Sequence, residues 1–350
     1  MIIPEWKTLI IILTLTFSSC VGNDNEKMTL SPTPPLNALT TSLPPQQAPL
    51  PPAPNGLELK QGYFQGEDGV QLFYRIVGSG KDTIVFEHGG PIGIEDCALD
   101  IEVISKRGYT FICNDERGGG RSELVRDSTK LGINNYVADL EELRKYFNLN
   151  KLILVGDSWG AGVCSFYAFT FPNNVKCLAL LSPMWTTSSD QNERFKRVYE
   201  KLGTTTSQKL EDLGKLWSSA SNEQLAEIYR SIDSLYLPAY VINPANLKRT
   251  RGCIYTYSPL ALRNADNQLK YSFNSLGNDF DFRPKLKLIN APTIIIEGEQ
   301  TVVPKEATKQ YLYNIKNSKL VWIPNAGHMF WLDQSQAALD SLDNFIKAQL

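Results

Sequence analysis

From Leu57 onward the chain alternates short apolar runs with amphipathic stretches. Gln61 to Gln65 and Val70 to Val77 carry aromatic and β-branched residues on either side of Glu67-Asp68-Gly69, the pattern of a hairpin. Thr83 to Glu87 and Tyr109 to Cys113 are apolar runs of buried-strand type with a helical stretch between them. Asn135 to Phe147 places Val137, Leu140, Leu143, Tyr146 and Phe147 at helical spacing, and Lys151 to Val155 is a further strand. The beat continues with strands over Val175 to Leu181, Pro292 to Glu297 and Leu320 to Ile323, with helices from about Lys305 and Ser335. Strands alternating with helices predict a mostly parallel sheet covered by helices on both faces, an α/β fold. Between Trp185 and Asn274 no sustained β-type run occurs, and segments such as Glu211 to Trp217 and Glu223 to Ile232 have helical spacing. The core is therefore expected over residues 58–184 and 275–350, with 185–274 a helical insertion. Such an insertion sits at the strand carboxyl ends, where ligands bind in open α/β sheets, and is placed to act as a lid.

The first 57 residues have a different texture. Thr8 to Phe17 is a nearly unbroken apolar run behind Lys7, closed by Ser18-Ser19-Cys20. It is too short to cross a ~30 Å hydrocarbon core and reads as a signal-peptide h-region, so residues 1–19 are expected to be removed. The small residues before Cys20 resemble a bacterial lipoprotein lipobox, which implies acylation of Cys20 and residence in the cell envelope on a lipid anchor. An ordinary secretory signal with an incidental cysteine is the alternative. Nine prolines between Ser31 and Pro54 make residues 20–57 an extended tether rather than part of a core.

Composition narrows the chemistry. Thirty-five Lys and Arg face 37 Asp and Glu, a net charge of −2 that offers no footprint for a nucleic acid. The six cysteines form neither a C-x-x-C motif nor a Cys/His cluster, so no metal site, disulfide scaffold or cofactor is expected, and most of the cysteines belong in the core. Oligomeric state is not legible.

The chemistry-bearing motif is Gly156-Asp157-Ser158-Trp159-Gly160, which follows a strand and opens an apolar helix. In that setting G-x-S-x-G lifts a serine hydroxyl clear of the sheet as a nucleophile. A serine needs a base, and of the two histidines, His88 precedes it while His328 follows the last strand. Enzymes of this architecture run nucleophile, acid, histidine in chain order, which selects His328. Backbone N–H groups of Gly90, in His88-Gly89-Gly90-Pro91, and of Trp159 are placed to form an oxyanion hole, with His88 bracing its loop.

His88-Gly89-Gly90-Pro91, then Asp115-Glu116-Arg117-Gly118-Gly119-Gly120-Arg121-Ser122, then G-D-S-W-G, together resemble the α/β-hydrolase fold family and, within it, proline iminopeptidase-like serine aminopeptidases. The resemblance runs from about Gly62 to the C-terminus outside the insertion. It implies a serine hydrolase acting through an acyl-enzyme on a small peptide or ester, without a cofactor. The D-E-R-G-G-G-R-S loop reads as architectural, its arginines paired with carboxylates. One position departs from the family: Thr301, in Gly298-Glu299-Gln300-Thr301, stands where the triad acid is usual. Glu299 is the first candidate to replace it and Asp190 the second, with no functional acid as the third possibility. The lid also lacks the Trp-Glu pair that holds a substrate ammonium in such peptidases. A carboxylesterase on the same machinery, and a catalytically weak surface-binding lipoprotein, are the alternatives.

Overall fold

The computed structural model describes residues 49–90, 93–217, 219–252 and 257–350. The expected signal peptide, Cys20 with its expected acylation, and most of the expected tether lie outside these. Among the described residues no helix is long and apolar enough to cross a membrane.

Eight strands form a single sheet: β1 (Leu59–Gln65), β2 (Gln71–Val77), β3 (Asp82–Glu87), β4 (Tyr109–Asn114), β5 (Leu152–Asp157), β6 (Val175–Leu181), β7 (Thr293–Gly298) and β8 (Ser318–Ile323). Their order is β1-β2-β4-β3-β5-β6-β7-β8. β2 runs antiparallel to β1, as the hairpin predicts, and also to β4, and the pairs from β4–β3 through to β7–β8 are parallel. Side chains of the central strands are buried on both faces because helices cover both. On one side Ile153, Val155 and Ile296 meet Phe345 and Ile346; on the other Leu154, Leu178 and Ile295 meet Val163, Tyr167 and Tyr311.

The helices follow the predicted alternation: α1 (Ala98–Ile101), α2 (Ile133–Tyr146), α3 (Trp159–Thr170), α4 (Ser188–Trp217), α5 (Asn222–Tyr236), α6 (Pro259–Asn274), α7 (Arg283–Leu286), α8 (Lys305–Asn314), α9 (Phe330–Asp333) and α10 (Ser335–Lys347). The insertion between β6 and β7 is helical, built from α4, α5 and α6, and α4 bends at Gly203 (φ 76°). Cys97, Cys113, Cys164 and Cys177 are buried free thiols, as expected of small core residues.

The tether ends earlier than its composition suggests. Leu50 packs against the core, and the Pro51 carbonyl accepts from Arg75 Nη2 at 2.9 Å. Arg75 is fully buried and forks onto Glu102, so its remaining donors need acceptors, and the proline-rich backbone supplies one.

The D-E-R-G-G-G-R-S loop after β4 is architectural. Arg117 is fully buried and reaches Asp139 at 2.6 Å through both Nε and Nη2, and it also contacts Asp68; Arg121 pairs with Glu95 at 2.7 Å. Asp115 accepts 2.6 Å bonds from the backbone N–H groups of Ile94 and Arg121, which ties the loop to the segment before α1.

Glu87, at the end of β3, has its pKa pushed up to about 8 by burial and by the charge of Asp139. From about pH 4.5 upward the folded state keeps a proton that the unfolded chain has released. Stability therefore falls with rising pH until Glu87 ionises near 8. Glu87→Gln removes that contribution. Urea unfolding is expected to show the variant gaining ~2–4 kcal/mol on the parent between pH 5 and 9; a pH-independent difference would show that Glu87 carries a charge in the fold.

Candidate active site

β5 ends and α3 begins at Gly156-Asp157-Ser158-Trp159-Gly160, and the chain reverses there through Ser158 at φ 48°, ψ −111°. A residue with a side chain avoids this conformation unless its surroundings impose it. Here they do. Ser158 N–H donates to the Leu181 carbonyl at 2.9 Å and Ser158 C=O accepts from Met184 N–H at 3.0 Å, so the end of β6 grips both sides of the bend. A Cβ on Gly160 would lie 2.3 Å from the Glu87 carbonyl oxygen, and one on Gly156 would lie 2.6 Å from that of Gly160. Only glycine lets β3, β5 and α3 approach this closely.

His328 lies on the loop after β8. The loop is fixed at three points: Gly327 N–H donates to Asp333 Oδ2 at 2.9 Å, Met329 N–H to the Tyr240 carbonyl at 2.9 Å, and Ser182 Oγ–H to the His328 carbonyl at 2.5 Å. These anchors bring His328 Nε2 to 3.4 Å from Ser158 Oγ. The contact is long, as hydrogen bonds between such groups often are before a substrate arrives. The imidazole packs on Tyr240 with ring centroids 5.0 Å apart. Burial, and after it the charge of Arg194, lowers the His328 pKa to about 3, so the ring is neutral at ordinary pH.

Glu299 does not meet His328. The chain leaves the sheet at Gly298, Glu299 N–H is tied to the Ile323 carbonyl at 2.9 Å, and the side chain is exposed. Asp190 is occupied at the start of α4, where it accepts from Thr187 Oγ1 at 2.8 Å. The carboxyl that faces the imidazole is Glu297, fully buried in β7, with Oε1 4.0 Å from His328 Nδ1. Sequence reasoning missed it because the family pattern places the acid beyond the glycine, where Glu299 and Thr301 stand. The available signal was an acidic residue closing the otherwise apolar run Ile294-Ile295-Ile296.

Burial raises the Glu297 pKa to about 8, while the Ser182 hydroxyl and the Gly298 N–H pull in the other direction. Ser182 Oγ stands 2.9 Å from Glu297 Oε1 as well as 2.5 Å from the His328 carbonyl. The hydroxyl proton is shared between these two acceptors, which joins the buried carboxyl to the loop that carries the histidine.

Gly90, Ser158, Trp159 and His328 line one cavity of about 250 Å³, roofed by the insertion through Arg194, Tyr236 and Phe273. Trp159 is the first residue of α3, whose first-turn N–H groups have no intrahelical acceptor. Its indole donates to Glu116 at 3.0 Å, joining the loop after β4 to the elbow. His88 is fully buried, with Nδ1 3.0 Å from the carbonyl oxygens of both Gly89 and Gly90, which braces the loop that carries Gly90. Among the described residues, Asp96, Cys97 and Asp157 offer three possible metal-ligand atoms within 4.8 Å of one another. Burial raises all three pKa values, that of Asp96 to about 8, so these groups hold their protons and Cys97 Sγ–H donates to Asp157.

The profile of the alpha/beta hydrolase fold family matches residues 82–334. The proline iminopeptidase of Saccharolobus solfataricus is 27% identical over 298 residues, covering 83% of this chain and 93% of that protein. A bifunctional esterase/perhydrolase of Acinetobacter calcoaceticus is 25% identical over 295 residues, covering 82% and 100%. Among solved structures, the esterase from Exiguobacterium antarcticum superposes with a TM-score of 0.60 at 22% identity, over 81% of this chain and 98% of that one.

The elbow's packing predicts that Gly160→Ala loses ~2–4 kcal/mol of stability, because the intruding Cβ meets backbone that cannot step aside. Urea denaturation measures this; an unchanged midpoint would show that the bend tolerates a side chain.

Proposed function

The chain belongs to the alpha/beta hydrolase fold family, and we propose that it is a serine hydrolase that opens an amide or ester bond through an acyl-enzyme on Ser158. The observation that carries this reading is the 3.4 Å approach of His328 Nε2 to Ser158 Oγ on a strained bend that opens into a cavity.

Ser158 Oγ attacks the substrate carbonyl carbon while Nε2 takes the hydroxyl proton. The N–H groups of Gly90 and Trp159 hold the oxygen as it gains charge, each contribution worth roughly 3–4 kcal/mol. His328 then passes its proton to the leaving nitrogen or oxygen, the C–N or C–O bond breaks, and the acyl group stays on Ser158. Water, deprotonated by the same imidazole, releases the acid and restores the hydroxyl. Glu297, rather than Glu299, stabilises the imidazolium formed in each half-reaction.

The first substrate class is the N-terminal residue of a small peptide, supported by the 27% identical proline iminopeptidase. Ester cleavage is the second, supported by the esterase/perhydrolase relative. A lipid anchor at Cys20 and a place in the cell envelope belong to this proposal on the strength of residues 1–57 alone.

Side-by-side turnover of prolyl-naphthylamide and p-nitrophenyl acetate ranks the two classes. Ser158→Ala should lower either rate by about 10⁴ or more; a parent-like rate in that variant would end the serine reading.

The pH dependence follows from the burial of two groups. Nε2 is free to accept a proton at any pH above about 3, whereas Glu297 carries its charge only above about 8. kcat/KM is expected to climb between pH 6 and 9 with no separate limb near 6.5. In Glu297→Gln the climb should vanish, with the rate at pH 9 down ~10²–10⁴-fold, while Glu299→Gln keeps the parent profile. The reverse result would return the acid's role to Glu299.

A further inference from the structure

Arg194 sits on the inward face of α4, one turn before the buried Val198, and is only 8% exposed. A guanidinium in such a place is costly unless a partner neutralises it. Among the described residues no carboxylate lies within ion-pair distance of it, and its Nε has no hydrogen-bond partner. The charge rests instead on aromatic faces, 4.8 Å from the ring of Phe195, 5.2 Å from that of Tyr240 and 5.4 Å from that of Trp185. The Tyr236 hydroxyl is its polar neighbour. Tyr240 packs on His328 with its other contacts, so the cation and the imidazole flank the same ring and line the same cavity as Ser158.

Other cavity residues leave that charge standing. Asp96 and Asp157 line the same space, but burial raises both carboxyls, that of Asp96 to about 8, and disfavours their charged forms. Asp233 lies in the cavity wall with interactions of its own, and Lys270 adds a second cation there. A planar fork of donors held over aromatic rings, partly desolvated and with no carboxylate of the described residues at ion-pair distance, is arranged for a carboxylate from outside the chain.

We propose that Arg194 binds a free carboxylate on the substrate and makes the site selective for short peptides or acyl esters that carry one. For a peptide this carboxylate is the C-terminus of the leaving residue; for an ester it is the far end of a dicarboxylic acyl chain. The inference rests on the serine hydrolase reading for the reaction, and on the geometry of Arg194 alone for binding.

Two substrate pairs separate the sources: prolylglycine against prolylglycinamide, and mono-4-nitrophenyl adipate against 4-nitrophenyl hexanoate. The full chain should prefer the anionic member of at least one pair by tenfold or more in kcat/KM. That ratio should collapse toward one in Arg194→Gln and survive in part in Arg194→Lys. Equal turnover within both pairs, or a preference that persists in Arg194→Gln, overturns the proposal.

Binding of prolylglycine and of adipate, followed by calorimetry, keeps the test independent of catalysis. With no turnover of any of the four compounds, the hydrolase reading fails. A Kd for either ligand that rises tenfold or more in Arg194→Gln would still support the anion site, and equal or absent binding would remove it. Arg194→Met controls for folding: losing an unpaired buried charge should leave thermal stability equal to or above that of the parent, and a collapse of stability would show that Arg194 is structural instead.

Discussion

The reversal of the chain at Ser158 is the constraint on which the rest of the site depends. Holding a serine at φ 48°, ψ −111° costs ~1–3 kcal/mol. The cost is met by contacts that no single element could provide: the β6 end grips the bend from one side, and the β3 carbonyls press against Gly160 from the other. The strands must be parallel and in register before this packing exists, so the strained residue is a product of the whole sheet. The loop after β4 extends the support. Its Glu116 holds the Trp159 indole, while Arg117, locked on Asp139, fixes the loop against α2.

Burial does most of the electrostatic work around that bend. It keeps His328 neutral and holds a proton on Glu297 up to about pH 8, so the imidazole and its facing carboxyl are both uncharged near neutrality. The same low-dielectric surroundings neutralise Asp96 and Asp157 and leave Arg194 as a standing cation over its aromatic rings. Separation of charge in this cavity therefore follows from which groups can be desolvated cheaply. Carboxyls can take up a proton; a guanidinium cannot lose one.

Much of this was legible in the sequence. Aromatic and β-branched residues around a turn signal marked the β1–β2 hairpin and apolar runs marked the parallel strands, most clearly the central ones buried on two faces, while the helical spacing read over 185–274 falls where α4, α5 and α6 lie between β6 and β7. Ser158 and His328 could be paired from chain order, and the structure brings them together. The acid could not be read in the same way. Counting outward from Gly298 pointed to Glu299 and Thr301, whereas which carboxyl turns inward depends on where the chain leaves the sheet, and that is decided by the pairing of Glu299 and Gln300 with the β8 loop. Arg194 was invisible for a related reason. In a helix rich in Lys, Glu and Arg, a single charge on the inward face looks like its solvated neighbours until the packing of Trp185, Phe195 and Tyr240 is known. The tether's docked end depended likewise on a distant arginine needing an acceptor.

The central claim is that Ser158 is an activated nucleophile, and covalent labelling with a fluorophosphonate followed by peptide mass spectrometry tests it most directly. A single phosphonyl adduct on Ser158 is expected, abolished by Ser158→Ala and slowed severely by His328→Ala. No adduct on the parent chain, or one that forms at an unchanged rate without His328, would contradict it.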